Sequence, residues 1–345
     1  MSSYLFVVFV SCLVNFLLIV PFINFLYQMK MQRADQQTKD AFNRPTPIYD
    51  RFHRHKQGTP VGGGILIIVT TIIIFSVFLI MSLMFNRKIP TNYPSMMAEI
   101  KIILFAFLSF ALLGVYDDLS KIFFWKDTKF FGLRLKHKFI IELILALVIG
   151  FWLYNDLKIS IIYIPFLGVF NIGFLYIIFA AFVIVAFSNA VNITDGLDGL
   201  AGGILLFALM TFWVVARSIL DVPTSLFIAS WLGGLIAFLY FNIHPSRIIL
   251  GDAGALSFGA TFAVIGLILG KAFSLLIVGG FFVVEILSSA IQLISKRFFK
   301  KKIFPVAPLH LWLQLKGWEE PKIVMRLWII SILFSLLGLM IAFMK

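Results

Sequence analysis

Ten apolar runs, each close to 20 residues long, dominate this sequence and are separated by short polar connections. A helix needs about 20 apolar residues to cross a bilayer, and only helices and closed barrels satisfy their backbone groups there. Barrel strands would alternate between apolar and polar residues, which these runs do not. We therefore predict an all-α polytopic membrane protein. The predicted spans cover residues 4–27, 61–84, 100–116, 138–154, 172–190, 199–216, 225–241, 255–270, 273–295 and 326–343.

The composition agrees with this class, since 61% of the 345 residues are hydrophobic and 13% are charged. The sequence shows no internal repeat and no low-complexity linker, so residues 1–345 are expected to form one integral-membrane domain. Only Gly270 and Lys271 interrupt the apolar stretch that contains the eighth and ninth spans. The outer segment 155–171 has an alternating pattern that predicts a short hairpin.

The positive charges of the chain are distributed unevenly between its connections. Most of the 29 Lys and Arg residues follow odd-numbered spans. By the positive-inside rule, these connections face the cytoplasm and both termini lie outside it. A net charge of +13 could suggest a nucleic-acid partner, but its placement beside the spans argues against one. Part of the basic excess would instead contact anionic lipid headgroups of the bilayer.

The stretch 189–203, NAVNITDGLDGLAGG, carries a dense polar cluster between two predicted spans. Because charge beside membrane spans is costly without a function, we expect a binding or catalytic site here rather than a polar turn. Gly196 and Gly199 would allow a ligand to approach the backbone closely. Four amide or carboxylate side chains stand three residues apart, a spacing that can align them along one side of a helical end: Asn189, Asn192, Asp195 and Asp198.

The other polar clusters also fall in connections that the predicted topology places on the cytoplasmic side. The adjacent carboxylates Asp117 and Asp118 repel each other, so a cation is the usual reason to keep them together. With Asp252 and the carboxylates of 189–203, and with several lysines nearby, they suit a magnesium ion and a phosphorylated ligand. Zinc is disfavoured, because Cys12 is the one cysteine and the histidines lack a ligand spacing. His310 by itself is a weak signal.

In this order, the clusters resemble those of the polyprenyl-phosphate N-acetylhexosamine-1-phosphate transferase superfamily. The most specific motif is NAVNITDGLDGL, and DDLSK and GDAG support it. PLH at 308–310 and KGWEEPK at 316–322 point to the phospho-N-acetylmuramoyl-pentapeptide-transferase branch. The resemblance implies a ten-helix fold in the bacterial plasma membrane, with an active-site cleft that faces the cytoplasm.

The resemblance also implies a reaction and its partners. Phospho-MurNAc-pentapeptide would pass from UDP-MurNAc-pentapeptide to undecaprenyl phosphate, giving lipid I and UMP in a Mg²⁺-dependent step. A homodimer is possible, since many relatives dimerise. The residues implied as catalytic are Asp117, Asp118, Asp252 and His310, with the first three at the metal. Those implied to bind substrate are Lys56, Lys121, Lys136, Asn189, Asn192, Asp195, Asp198 and Asn242.

Several positions depart from the pattern of that branch. His310 is followed by Leu311 and Trp312 where three histidines are usual, and Ile249 stands where an aromatic residue could stack on uracil. The carboxylates are intact, so the departures concern the fit to the sugar-peptide and uridine rather than the reaction type. Two alternatives therefore stay open: a sibling transferase that uses another UDP-N-acetylsugar, and a non-catalytic lipid-binding or transport protein.

Overall fold

The computed structural model describes residues 2–32, 46–53, 56–85, 89–123 and 135–344, and it confirms the all-α polytopic architecture. One two-stranded sheet accompanies the helices in the part of the chain that is described. The first helices are α1 (Ser2–Gln28), α2 (Pro47–His53), α3 (Gly63–Met84), α4 (Met96–Phe123) and α5 (Leu135–Asn155). Then follow β1 (Ile161–Ile164), β2 (Gly168–Asn171), α6 (Leu175–Thr194), α7 (Leu200–Ser218), α8 (Val222–Asn242) and α9 (Gly251–Ile268). The chain continues with α10 (Ala272–Val278), α11 (Gly280–Ile294), a π-helical turn (Ser295–Phe299), α12 (Leu309–Leu315) and α13 (Glu320–Phe343).

Within these described ranges, nine helices are long and apolar enough to cross a membrane, and one bent pair is a tenth candidate. The bent pair corrects the predicted ninth span, 273–295. That span is not one helix, because α10 and the helical stretch Gly280–Phe299 meet at Gly279 with a bend of 79°. A methyl group on Gly279 would come within 2.4 Å of the Phe187 ring. Glycine therefore permits the packing at the bend, which an apolar run does not reveal.

The predicted hairpin in 155–171 is confirmed. Strands β1 and β2 pair antiparallel, with Ile161 opposite Asn171 and Ile164 opposite Gly168. Gly168 has a φ of +98°, a conformation that glycine adopts without strain.

Helices α8 and α9 form the centre of the bundle and are almost wholly buried. Helix α8 packs against α1 and α3, whereas α9 packs against α4 and α6. Their inner faces are glycine-rich where neighbours cross closely. A Cβ atom on Gly64 of α3 would lie 2.3 Å from the Cα atom of Gly254, and one on Gly114 of α4 would lie 2.3 Å from the carbonyl oxygen of Asp252. The second contact brings the start of α9 against the end of α4.

Candidate active site

The close approach at Gly114 positions the predicted carboxylates. Helix α4 runs to Phe123, beyond the predicted end of its span, so Asp117 and Asp118 occupy its last turns. Asp252 lies in the first turn of α9. These carboxylates come from distant parts of the chain, and the packing of α4 on α9 brings them together.

Asp117 and Asp252 share two lysine ammonium groups. The Lys121 Nζ atom lies 3.2 Å from Asp117 Oδ2 and 2.8 Å from Asp252 Oδ2. The Lys138 Nζ atom, on α5, lies 2.9 Å and 2.7 Å from the same two oxygens. Both carboxylates therefore direct an oxygen at the same cationic region. Two ammonium groups offset the repulsion between the buried Asp117 and the partly buried Asp252 carboxylates.

Asp118 has a different geometry from its neighbour. Its Oδ1 atom accepts the backbone N–H of Asp252 at 3.1 Å, and its Oδ2 atom accepts that of Ala253 at 3.0 Å. A helix leaves its first N–H groups without partners inside the helix, and an acidic side chain is favourable at that end. Asp118 thus holds the first turn of α9 and sets the position from which Asp252 projects.

The donor set of this group fits a magnesium ion. Magnesium prefers oxygen ligands and is usually held by one or two carboxylates together with substrate phosphates. Asp117 and Asp252 already present oxygens toward a shared position where positive charge is stabilised.

The four-residue polar series in 189–203 spans a helix end and the loop after it. Asn189 and Asn192 lie in the last turns of α6, and Asp195 caps the helix. Asp198 lies in the loop before α7, so the series does not continue along one helical side. Asn189 donates to Glu142 of α5 and to the carbonyl oxygen of Val185.

Asn192 differs from the other members of the series. Its Nδ2 atom is buried and has no hydrogen-bond partner among the described residues. A buried amide donor without a partner is costly in a native structure. A water molecule or a ligand acceptor could satisfy this group.

Lys56 links the connection before α3 to the loop between α6 and α7, residues 195–199, which we call the signature loop. Its Nζ atom lies 2.8 Å from Asp198 Oδ1, 2.9 Å from the carbonyl oxygen of Gly196 and 2.9 Å from Glu320 Oε1. The three residues with side chains in this contact, Lys56, Asp198 and Glu320, are each at most 7% exposed. The cluster is therefore a buried ionic network.

The second oxygen of Asp198 contacts the connection between α8 and α9. Asp198 Oδ2 accepts the backbone N–H of Ser246 at 3.1 Å and lies 3.1 Å from His244 Nδ1. Burial raises the pKa of Asp198, but the Lys56 charge and the hydrogen bonds from Lys56 and Ser246 outweigh it. The pKa of this carboxyl group is therefore below its ordinary value, and Asp198 is ionised at neutral pH.

Asp198, His244 and Glu320 are also the one group of at least three potential metal ligands found among the described residues. The Lys56 ammonium lies between the two carboxylates of this group. A cation is thus supplied by the chain itself at this position.

Asn242, at the end of α8, ties the signature loop to the connection that follows. Its Oδ1 atom accepts the N–H of Gly199 at 2.9 Å, and its Nδ2 atom donates to the carbonyl oxygen of Ile248 at 2.8 Å. The neighbouring Ile249 has a buried side chain and pairs through its backbone with Pro60 and Gly62. The connections before α3, between α6 and α7, and between α8 and α9 therefore form one hydrogen-bonded unit.

His310 brings the start of α12 to the same loop. It is 1% exposed, and its Nε2 atom would lie 2.4 Å from a Cβ atom built on Gly196. Glu285 of α11 accepts the backbone N–H of His310 at 3.1 Å, and its second oxygen lies 3.0 Å from the ring Nδ1. A carboxylate at Nδ1 favours the ring form that donates from Nδ1, which leaves Nε2 toward the signature loop. Glu285 therefore orients this histidine.

The structure therefore brings most predicted site residues into the two ionic groups or their immediate support. Lys136 is different, because its side chain is exposed in the first turn of α5 while Lys138 contacts the carboxylates. The sequence interpretation did not assign Lys138, Glu320, His244 or Glu285 to the site. One signal was available for Lys138, since Glu142 follows it by four residues and both then lie on one helical face.

Known proteins resemble this chain over most of its length. Residues 100–270 match the model of a family described as Glycosyl transferase family 4. Similar proteins named phospho-N-acetylmuramoyl-pentapeptide-transferase include that of Oceanobacillus iheyensis, 37% identical over 84% of this chain and 85% of the relative. Those of Geobacillus sp. and Bacillus pumilus are each 32% identical and cover 96% and 98% of this chain, and 95% and 97% of their own lengths.

Proposed function

The chain belongs to the phospho-N-acetylmuramoyl-pentapeptide-transferase family, and from this we propose that it makes lipid I. It transfers phospho-MurNAc-pentapeptide from UDP-MurNAc-pentapeptide to undecaprenyl phosphate and releases UMP. The family relationship spans nearly the whole chain, including the residues of both ionic groups. It does not favour a sibling substrate or a non-catalytic transporter.

The observation that carries the proposal is the paired arrangement of Asp117 and Asp252 across Lys121 and Lys138. Four charged groups are concentrated where α4, α5 and α9 meet. Phosphoryl transfer requires mainly positioning and charge neutralisation from the protein. A purely structural ion pair would need neither a second lysine nor a second carboxylate.

The magnesium ion is part of this proposal. Asp117 and Asp252 would hold it, and Asp118 would keep Asp252 in place through the first turn of α9. The chemistry that a bound magnesium ion supplies is neutralisation of the charge on the diphosphate. Lys121 and Lys138 add positive charge beside it. Asp117 would orient or deprotonate the lipid phosphate for in-line attack on the phosphorus that bears the sugar.

The second ionic group supports binding of the UDP portion. Asn192 offers a buried amide donor without a partner among the described residues, and Asp195 lies at the start of the signature loop. Asp198 and Asn242 hold that loop against the α8–α9 connection. His310 faces it through Nε2.

The placement of the protein belongs to the proposal too. It is a multi-pass protein of the bacterial plasma membrane with its active site facing the cytoplasm, a direction that follows from the lysine and arginine bias. The homodimer and the single domain over residues 1–345 stay predictions, as does the role of Lys136.

The test is UMP release by purified protein in detergent with undecaprenyl phosphate. We expect release with UDP-MurNAc-pentapeptide in the presence of magnesium, and only background release with UDP-N-acetylglucosamine or after chelation. Asp252→Asn should lower the turnover number about a hundredfold or more, because it removes an anionic ligand of the magnesium ion that would neutralise the diphosphate.

A matched control is Asp156→Asn, which removes a carboxylate from the ion pair with Lys101, remote in sequence from the site. It should keep the wild-type rate. Release with the other sugar alone would move the protein to the sibling reaction. If folded protein releases no UMP with either sugar nucleotide, the enzymatic function is contradicted.

A further inference from the structure

Glu320 contacts Lys56 and Asp198 from the start of α13, a helix that contains none of the predicted site residues. Its Oε1 atom accepts from Lys56 Nζ at 2.9 Å and also accepts the backbone N–H of Asp198. The residue is 7% exposed. A charged side chain at this depth needs partners, and here they are a lysine and the signature loop.

The contacts of Lys56 indicate what the network does. An ammonium group has three N–H donors and no acceptor. Three oxygens surround the Lys56 Nζ atom within 2.9 Å, from Gly196, Asp198 and Glu320. Its donors are thus directed at the signature loop and at α13. This geometry fits a lysine that shapes the loop better than one that reaches for a phosphate.

A second contact from α13 supports the same loop. The Trp328 Nε1 atom donates to the carbonyl oxygen of Gly199 at 3.1 Å. Gly199 has a φ of +78° and ends the loop at the start of α7. Helix α13 therefore contacts the loop at Gly199 as well as at Asp198.

We propose that Glu320 is a positioning residue for the nucleotide site: acting with Lys56, it holds the signature loop in the form that binds a uridine diphosphate group. The inference rests on the proposed function, which places the UDP portion at this loop. The two residues act as a unit, because each supplies the charge that keeps the other buried.

The experiment compares Glu320→Gln, Lys56→Met and the double variant in detergent. Binding of UDP is measured by calorimetry, and the KM values for UDP-MurNAc-pentapeptide and undecaprenyl phosphate are measured separately. We expect each single change to weaken UDP binding about tenfold or more, since a hydrogen bond to a charged group is lost. The double variant should lose little beyond the larger single effect. The KM for the lipid should change little, which general loss of structure would not produce.

The neighbouring Glu319 offers the matched control. It is exposed, so Glu319→Gln should bind UDP as the wild type does. Glu320→Asp keeps the charge and should recover part of the affinity that Glu320→Gln loses. If Glu320→Gln does not fold, Glu320→Asp tests the inference instead. Its side chain is one methylene shorter, so its carboxylate lies farther from Lys56 and should weaken UDP binding measurably.

Three results would overturn the inference. Wild-type UDP affinity in the Glu320 variants would remove the positioning role. Losses that add in the double variant would show that Lys56 and Glu320 act separately, with Lys56 on the phosphates. Absence of UDP binding by the wild type would end both the inference and the proposed function. Wild-type protein that binds UDP without releasing UMP would contradict the proposed function alone.

Discussion

At the scale of single residues, the pKa of a carboxyl group in this chain depends on the groups that contact it. Asp198 has Lys56 and two further donors, and its pKa is below the ordinary value. Asp221, between α7 and α8, is also buried but faces another acid. Burial and the nearby Glu99 raise the pKa of Asp221 to about 8. Its Oδ1 atom accepts the N–H of Thr224 and caps α8.

The raised pKa of Asp221 predicts a pH-dependent stability. The folded state keeps this proton up to about pH 8, whereas the unfolded chain releases it near the ordinary carboxyl pKa of about 4. Protonation of Asp221 therefore contributes fully to the free energy of unfolding below about pH 4, and this contribution is lost as the pH rises through about 8. We expect the melting temperature in detergent to fall by several degrees between about pH 5 and pH 9.

Asp221→Asn should flatten this dependence, because the amide cannot ionise. The control is Asp156→Asn, since the hydrogen bond from Lys101 holds the pKa of that exposed carboxyl group below its ordinary value. It should leave the slope above pH 5 unchanged. A wild-type melting temperature that stays constant from pH 5 to pH 9 would contradict the assignment.

At the scale of elements, close crossings between helices bring the residues of the candidate site together. The crossing of α3 and α9 brings Gly64 against Gly254, so the entrance of α3 lies beside the start of α9. Three hydrogen bonds strengthen the junction, where the N–H groups of Gly62, Gly63 and Gly64 donate to the backbone of residues 249–250. Backbone cannot move aside as a flexible side chain can.

Gly64→Ala should therefore lower both stability and activity. Overpacking of a tight contact costs about 1–3 kcal/mol. Gly234→Ala in α8 is the matched control, because its methyl group would meet the side chains of Asn15 and Ile67 at 3.2 Å, and these can shift. Thermal unfolding in detergent should show a clearly larger loss for the first variant. Equal losses would mean that the backbone contact at Gly64 is not limiting.

At the scale of the whole molecule, the predicted orientation can be tested with the native cysteine removed. On a Cys12→Ser background, Leu167→Cys in the hairpin turn and Lys301→Cys after the π-helical turn each place one thiol at an exposed position. The positive-inside rule predicts opposite sides of the membrane for them. A membrane-impermeant maleimide should label the first in intact cells and the second only after permeabilisation. The reverse pattern would place the active site outside the cytoplasm.

The architecture and the locations of the polar clusters were predictable from sequence because lipid imposes a strong constraint. Backbone groups must be satisfied within helices, and a charge near a span needs a reason. The apolar runs consequently predicted the helices, and the structure brings most of the predicted polar clusters together at helix ends. The break at Gly279 was missed, because apolar composition continues through it. Hydropathy reports the environment of a segment and not its direction.

Only the tertiary structure determined which side chains from distant parts of the chain contact each other. Lys136 and Lys138 look equivalent in sequence. Side chains two positions apart on a helix point about 200° away from each other, so only one of the two can face Asp117 and Asp252. Glu285 and Glu320 reach His310 and Lys56 because of how α11 and α13 are rotated and placed. By itself, the sequence determined the membrane helices and the chemical groups at their ends. Helix rotation and crossing, which depend on side-chain packing between distant segments, determined which of those groups meet.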